Sequence, residues 1–264
     1  HQTLQCIQRK HSHFAKSKIQ FMTRTLAIGD IHGGLRALEQ ILERAKVTQD
    51  DLLIFLGDYV DGWSESAQTV SFLIELSKTH NCIFMRGNHD DLAYQWLRDN
   101  TKNDTWLNHG GRSTMKSYEN ITQETKQEHL EFYKNLKDYH IDEQNRMFVH
   151  AGFQNRNGPE FEHYSTAFYW DRTFWEMAVS LDKRIKKEDP EYPMRLQYHK
   201  EIYIGHTPVT RIARDEPTQM ANVWNVDTGA AFKGKLSIID ADTKEFWQSD
   251  PVYTLYPDEE GRNA

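Results

Sequence analysis

Residues 25–34 read TLAIGDIHGG, four mostly apolar residues followed at once by a polar turn that carries Asp30 and His32. A similar arrangement, an apolar run that leads into a glycine and then a potential ligand, recurs in LLIFLGD at 52–58 and in CIFMRGNH at 82–89. Apolar residues at helical spacing separate these runs. Such alternation predicts parallel strands joined by crossover helices, with the polar residues gathered at the carboxyl edge of the sheet.

The second half of the chain is also rich in strand candidates. Further short apolar runs occur at Arg146–Val149, Ile202–Ile204, Val223–Val226 and Leu236–Ile239. Residues 155–200 contain a charged stretch near two prolines, which predicts a helical insertion or lid. We expect one domain over residues 22–250 and a polar C-terminal tail, residues 251–264, that frays.

Composition excludes several classes of protein. The 264-residue chain is 38% hydrophobic and 12% aromatic, so it has the apolar surface that folding requires. Its formal charge of -7 argues against a nucleic-acid partner. Cys6 and Cys82 cannot make a disulfide framework, and no apolar stretch reaches the length of a membrane span. We therefore expect a soluble protein of the reducing cytoplasm, without membrane association.

The first 21 residues carry four basic side chains and no acidic one. Their apolar stretches are too short for a secretory signal. We interpret residues 1–21 as a flexible extension or tag, with Met22 as a hypothetical natural start, and expect them to be dispensable.

Potential metal ligands end five of the apolar runs. They are Asp30, His32, Asp58, Asn88, His150 and His206. Taken singly, a Gly-Asp or Gly-Asn step is an ordinary turn, but five such steps in one chain point to a common site. Carboxylate, amide and imidazole groups suit Mn, Fe or Zn. Six protein ligands exceed one tetrahedral site and fit two metals that share a bridging carboxylate.

These segments resemble a known family. The motifs that carry the resemblance are Gly29–Gly33 (GDIHG), Gly57–Asp61 (GDYVD), Arg86–Asp90 (RGNHD), Val149–Gly152 (VHAG) and Gly205–Pro208 (GHTP). In this order they are similar to the signatures of calcineurin-like metallophosphatases, in the serine/threonine protein phosphatase branch. Trp106–Gly111 and Asp227–Ala230 resemble bacterial members more than eukaryotic ones. The resemblance covers about residues 24–240 and implies two mixed β-sheets packed as a sandwich and flanked by helices.

The resemblance also implies roles for single residues. Asp30 and His32 would hold one divalent metal, Asp58 would bridge, and the second metal would be held by Asn88, His150 and His206. Mn is our first choice of metal, with Fe and Zn as alternatives. A metal-bridging hydroxide would attack phosphorus, while His89, oriented by Asp61, protonates the leaving group.

One position departs from the family pattern. Where the family continues with a phosphate-binding arginine after the aspartate, this chain has Gly62 after Asp61. Arg172, in Trp170-Asp171-Arg172, stands where bacterial relatives place a second such arginine, and it is our candidate for phosphate binding.

We therefore expect a metal-dependent phosphatase that hydrolyses phosphate monoesters, with phosphoserine or phosphothreonine in proteins as the first substrate class. An alternative is a nucleotide or dinucleoside polyphosphate hydrolase, since the altered step at Gly62 would suit a different substrate. A second alternative is a non-catalytic phosphate-binding scaffold, although such a protein has no need for a general acid. The sequence leaves the oligomeric state open.

Overall fold

The computed structural model describes residues 23–263, so the predicted extension at residues 1–21 lies outside the described residues. The N-terminal half alternates strands and helices along the chain. In order it forms β1 (Thr25–Ile28), α1 (Leu35–Arg44), β2 (Leu52–Phe55), α2 (Ser66–Ser77), β3 (Asn81–Phe84), α3 (Asn88–Asp99), α4 (Asp104–Trp106), α5 (Arg112–Ser117) and α6 (Gln123–Lys134). A kinked turn at Leu107–Gly111 joins α4 to α5.

The C-terminal half is richer in strands. It contains β4 (Tyr139–Ile141), β5 (Arg146–Val149), α7 (Ala167–Trp170), α8 (Thr173–Ser180), β6 (Glu201–Ile204), β7 (Thr218–Met220), β8 (Val223–Asn225), β9 (Ser237–Asp240), β10 (Phe246–Gln248) and α9 (Val252–Leu255). The predicted insertion at residues 155–200 holds α7 and α8 together with single 3-10 turns at Pro159–Phe161 and Met194–Leu196. Its extent as a separate lid stays a prediction.

The strands form two five-stranded mixed sheets, in the orders β10-β9-β1-β2-β3 and β4-β5-β6-β8-β7. In the first sheet β1, β2 and β3 run parallel, and in the second sheet β5, β6 and β8 run parallel. Antiparallel strands complete both sheets. This arrangement confirms the predicted sandwich of two mixed sheets.

The two sheets pack against each other through one continuous apolar layer. It consists of Ala27, Ile54, Leu56, Met85, Phe148, Tyr203, Val226, Ile239 and Ala241. Alternate residues of the same strands, such as Leu26 and Phe55, face the helices instead and join a second cluster. Because side chains alternate across a strand, β1 and β2 are apolar on both faces, which is why they read as short continuous apolar runs.

The chain after Asp250 differs from the sequence prediction, because it packs instead of fraying. Val252 and Tyr256 are buried, and the Tyr256 ring stacks on Trp63 with ring centroids 5.2 Å apart. The Arg36 side chain donates to the Leu255 carbonyl over 2.6 Å, which ties this segment to α1. The segment after Asp250 is polar on average, so its few buried apolar residues gave no clear signal in the sequence. Within residues 23–263, every helix is too short or too polar to span a bilayer.

Candidate metal centre

The loops that follow β1 and β2 are bonded to each other, which brings their polar side chains together. The backbone N–H groups of Ile31 and His32 both donate to the carbonyl of Asp58, over 3.0 and 2.9 Å. His32, Asp58 and His206 have positive φ angles of 52°, 54° and 69°. Non-glycine residues in this left-handed region are uncommon and concentrate at functional sites, where neighbouring contacts hold them in place.

Four of the predicted ligands form one tight cluster. The Asn88 amide oxygen lies 2.9 Å from His206 Nδ1 and 3.2 Å from His150 Nε2. The Asp58 carboxylate lies 3.4 Å from the same nitrogen of His150. Asp58, His150 and His206 offer ligand atoms that all lie within 4.8 Å of one another. The second predicted metal therefore has its four proposed ligands in one place.

The other predicted ligands lie on the opposite side of the same aspartate. His32 Nε2 is 3.6 Å from the Asp58 carboxylate and 3.9 Å from that of Asp30. Asp30 Oδ1 is buried and has no hydrogen-bond partner. A buried carboxylate oxygen without a partner is costly unless a cation or proton compensates it. The residues thus fit a metal on this side, with Asp58 shared between the two sets.

In two of the histidines a hydrogen bond occupies Nδ1, which leaves Nε2 free for a metal. His32 Nδ1 lies 2.8 Å from the Asp61 carbonyl, and His150 Nδ1 lies 2.8 Å from the Leu56 carbonyl. A carbonyl only accepts, so the proton sits on Nδ1 and the Nε2 lone pair is available to a metal. Such outer partners commonly orient histidine ligands.

The centre concentrates buried negative charge. Asp30, Asp58, Asp90 and Asp227 are all buried, and in the described chain none of them pairs with a lysine or arginine. Burial, reinforced by the charges of Asp227 and Asp58, raises the pKa of Asp30 well above its usual range. Burial likewise raises the pKa of Asp227 to about 6. Divalent cations would compensate this charge.

Asp58 is the exception among these carboxylates. Burial opposes its ionisation, but the neighbouring His150 and His89 hold its pKa well below the usual range. Burial lowers the pKa of His32 to about 3, so this imidazole is neutral at pH 7. An ionised carboxylate beside a neutral imidazole is the protonation state that metal binding needs.

His89 and Asp61 form the predicted pair. His89 Nδ1 lies 2.7 Å from the Asp61 carboxylate, and both side chains are buried. His89 also stands within the group that His32 and Asp58 form, where its position would suit a ligand as well. The contact with Asp61 takes up Nδ1 and leaves Nε2 free, which suits either task, so the acid role of His89 stays a prediction.

Sequence reasoning missed the residues that hold this pair. The Trp106 indole donates to Asp61 over 2.6 Å, and the Thr114 hydroxyl donates to the other carboxylate oxygen over 2.5 Å. Asp90 lies in the first turn of α3, and its carboxylate accepts the backbone N–H groups of Asp58 and Tyr59, each over 2.8 Å. Asp90 therefore ties the segment after β3 to the loop after β2.

Arg172, our candidate for phosphate binding, lies beside the ligand cluster, and two further arginines join it. Arg172, Arg211 and Arg262 line a small cavity of about 30 Å³ together with the ligand side chains. Burial, and then the positive charges of Arg211 and Arg262, lower the pKa of Arg172. None of the three guanidinium groups forms an ion pair with a carboxylate of residues 23–263. The centre therefore presents guanidinium groups that make no close ion pair, beside its buried carboxylates.

A wider cavity of about 390 Å³ adjoins the small one. Asn88, His89, Arg172 and Arg262 line both cavities, and the wider one also contacts Trp170, whose side chain is 43% exposed. Its volume lies in the lower part of the range for small-molecule sites. A third cavity of about 560 Å³, within and beside the insertion, touches none of the ligand candidates.

Comparison with known proteins agrees with this geometry. Residues 23–227 match the family described as calcineurin-like phosphoesterase. The asymmetrical bis(5'-nucleosyl)-tetraphosphatase PrpE of Oceanobacillus iheyensis is 25% identical over 236 residues, which span 83% of this chain and 89% of the relative. The fold is also similar to two solved structures. A putative diadenosine tetraphosphatase has a TM-score of 0.57 and 18% identity, over 87% of this chain and 94% of its own. A protein serine/threonine phosphatase from Saccharomyces cerevisiae has a TM-score of 0.55 and 15% identity, over 86% and 80%.

Proposed function

The chain belongs to the calcineurin-like phosphoesterases, and from this premise we propose that it hydrolyses dinucleoside polyphosphates with the help of two divalent metal ions. The observation that carries the proposal is the position of the three arginines. Arg172, Arg211 and Arg262 line the cavity beside the ligand cluster and form no ion pair with a carboxylate of residues 23–263. A substrate with several adjacent phosphates supplies the negative charge that three guanidinium groups would bind.

The size of the two cavities supports the same substrate class. The small cavity of about 30 Å³ is too small for a whole dinucleotide, so the rest of a substrate would extend into the cavity of about 390 Å³. There the exposed Trp170 offers an aromatic face to a base. The similarity to a tetraphosphatase of 25% identity points in this direction too.

Six residues would hold the metals. They are Asp30, His32, Asp58, Asn88, His150 and His206. When bound, a pair of divalent ions neutralises phosphoryl charge and lowers the pKa of water for attack on phosphorus. The choice among Mn, Fe and Zn stays part of the proposal.

The chain's own side chains would orient the substrate and handle the leaving group. Arg172 would bind a phosphoryl oxygen, and its charge-assisted hydrogen bonds would fix the substrate for in-line attack. His89, held by Asp61, would give a proton to the departing oxygen. A departing nucleotide phosphate needs this proton less than an alkoxide does. The second pKa of a phosphate ester is about 6, so the group is a stable anion near pH 7.

Phosphoproteins, our first expectation from the sequence, receive less support. The named relative of 25% identity acts on a dinucleoside polyphosphate, whereas the serine/threonine phosphatase shares only the fold at 15% identity. A non-catalytic scaffold does not account for the buried pair of His89 and Asp61.

Product analysis tests the proposal. The protein is loaded with Mn²⁺ and incubated with bis(5'-adenosyl) tetraphosphate, and the nucleotides are separated by chromatography. We expect AMP and ATP in equal amounts, and no products from Asp58→Asn. Release of phosphate from a phosphoserine peptide, with the tetraphosphate left intact, would contradict the proposal.

A further inference from the structure

The C-terminal segment reaches the metal centre and delivers Arg262 to it. Arg262 lines both the small cavity at the ligand cluster and the wider cavity beside it. This residue is separated by more than fifty positions from the last predicted ligand, His206, and lies in a polar tail. Neither its spacing nor its neighbours in sequence mark it as part of a site.

Specific contacts hold the segment in this position. The Arg262 backbone N–H donates to the Ala231 carbonyl over 2.9 Å, and its guanidinium lies 5.3 Å from the centre of the Phe232 ring. Gly261 has a φ of 58°, and a Cβ there would lie 2.7 Å from the Trp63 ring. Only glycine can therefore pass so close to Trp63. Trp63 is itself held by its indole N–H, which donates to the Ala230 carbonyl over 2.8 Å.

The Arg262 guanidinium has a buried N–H group without a partner. Arg262 Nε is buried and makes no hydrogen bond, and Arg262 forms no ion pair with a carboxylate of the described chain. Leaving a buried charged donor unsatisfied costs free energy, so this arrangement is explained best by an acceptor that binds from outside. At a cavity built for phosphoryl groups, the fitting acceptor is a phosphate oxygen.

The position of Arg262 coincides with the departure at Gly62. A Cβ built on Gly62 would lie 3.7 Å from Arg262 Cγ, so the side chain of Arg262 occupies the space just beyond Gly62. The same Cβ would lie 2.8 Å from the His32 carbonyl oxygen, which leaves no room for a side chain at position 62 without a shift of the loop. Position 62 therefore cannot supply a guanidinium in this structure, whereas position 262 does.

We propose that Arg262 is a substrate-binding residue that contacts a phosphate oxygen at the metal centre, and that the C-terminal segment supplies the guanidinium that the loop after Asp61 lacks. This inference rests on the proposed phosphoesterase function. It assigns a binding role to the last described residues of the chain, after the final strand.

Binding of inorganic phosphate to the metal-loaded protein tests the inference. Arg262→Ala should raise the Kd for phosphate at least tenfold, because a hydrogen bond to a charged group contributes about 1.5–3 kcal/mol. Arg262→Lys should recover part of the loss. Arg184→Ala serves as the matched control, since Arg184 is 91% exposed and within residues 23–263 pairs only with Asp182, and it should change the Kd less than twofold.

Two further measurements separate binding from folding. Free guanidinium ion at millimolar concentration should restore phosphate affinity to Arg262→Ala and leave the wild type unchanged. Metal content should be equal in both proteins. An unchanged Kd in Arg262→Ala would overturn the inference, and so would a loss of affinity that follows a loss of metal.

The probe keeps this inference distinct from the proposed substrate. A protein that binds inorganic phosphate through Arg262 but leaves dinucleoside polyphosphates intact would refute the substrate class and retain the role of Arg262. If the wild type hydrolyses the tetraphosphate while Arg262→Ala binds phosphate normally, the substrate class is retained and the role of Arg262 is refuted.

Discussion

At the scale of single residues, the account depends on the different tasks of Asp58 and His89. The Asp58 carboxylate contacts His32 on one side and His150 on the other, so it belongs to both ligand sets. His89 is adjacent in sequence to Asn88 but spends one ring nitrogen on Asp61. In the proposed mechanism, these neighbouring residues of one motif would serve the metals and the leaving group separately.

Replacing these two residues should give different defects. Asp58→Asn should lose metal, because the shared negative ligand is gone. His89→Asn should keep its metal and lose rate by about 10²–10⁴ on an alkyl phosphate, with a smaller loss on an activated aryl phosphate that needs no proton. Metal analysis after purification, together with kcat on both esters, checks this. Equal loss of metal in the two variants would show that His89 is a ligand.

At the scale of secondary-structure elements, the helices beside the first sheet contain a pH-sensitive contact. His129 of α6 is buried, its two ring nitrogens contacting the Ser71 hydroxyl of α2 at 2.9 Å and the Tyr118 hydroxyl at 2.8 Å. Burial lowers the pKa of His129 to about 4. The neutral imidazole is therefore the form that the packed helices accept.

This contact should make the free energy of unfolding depend on pH. The unfolded chain binds a proton to His129 with a pKa near 6.5 and the folded chain only near 4, so the stabilisation is complete above pH 6.5 and is lost as pH falls toward 4. Between pH 7 and pH 5 the loss is about 2 kcal/mol. His129→Gln lacks the titrating group, so between pH 7 and pH 5 its free energy of unfolding should fall by about 2 kcal/mol less than that of the wild type. Urea unfolding of both proteins measures the difference. Parallel pH profiles of the two proteins would contradict the assignment.

The C-terminal segment is the second element whose packing has consequences. Tyr256 stacks on Trp63, accepts the Arg36 backbone N–H over 3.1 Å and donates its hydroxyl to Glu65. These contacts hold the turn that precedes Arg262.

Tyr256→Ala should therefore destabilise the protein by about 3–5 kcal/mol, as expected for loss of a buried aromatic ring. Tyr256→Phe keeps the ring and should cost only about 1 kcal/mol. Chemical unfolding at pH 7 measures both values. If the alanine variant were as stable as the phenylalanine variant, the segment would contribute no packing to the core.

At the scale of the whole molecule, the sequence predicted the sheets and the ligands better than the site's surroundings. The central strands were predictable because burial on both faces makes them apolar runs, as in Thr25–Ile28. The edge strands β4, β7 and β10 were missed, since three residues with mixed polarity give no pattern. The roles of Trp106 and Arg262 depend on contacts across 45 residues and on a tail that folds back, which no local spacing reveals.

Metal binding should stabilise the molecule as a whole, because the buried carboxylates Asp30 and Asp58 then gain a countercharge. At a free Mn²⁺ concentration of 100 times the Kd, one site contributes about 2.7 kcal/mol. We expect the chelated protein to have a lower Tm that rises again when Mn²⁺ is added. The Asp58→Asn variant, compared by the same scan, should show little rise, and an equal rise in both proteins would place the metal elsewhere.

The central claim is that this phosphoesterase acts on dinucleoside polyphosphates. Its most direct test is the ratio of kcat/KM for bis(5'-adenosyl) tetraphosphate to that for a phosphoserine peptide, measured on one Mn²⁺-loaded preparation. Because the arginines around the centre would each contribute about 1.5–3 kcal/mol to a charged substrate, and the tetraphosphate engages more of them, we expect a ratio of at least about 100. A ratio below one would contradict the account and favour phosphoproteins as the substrate class.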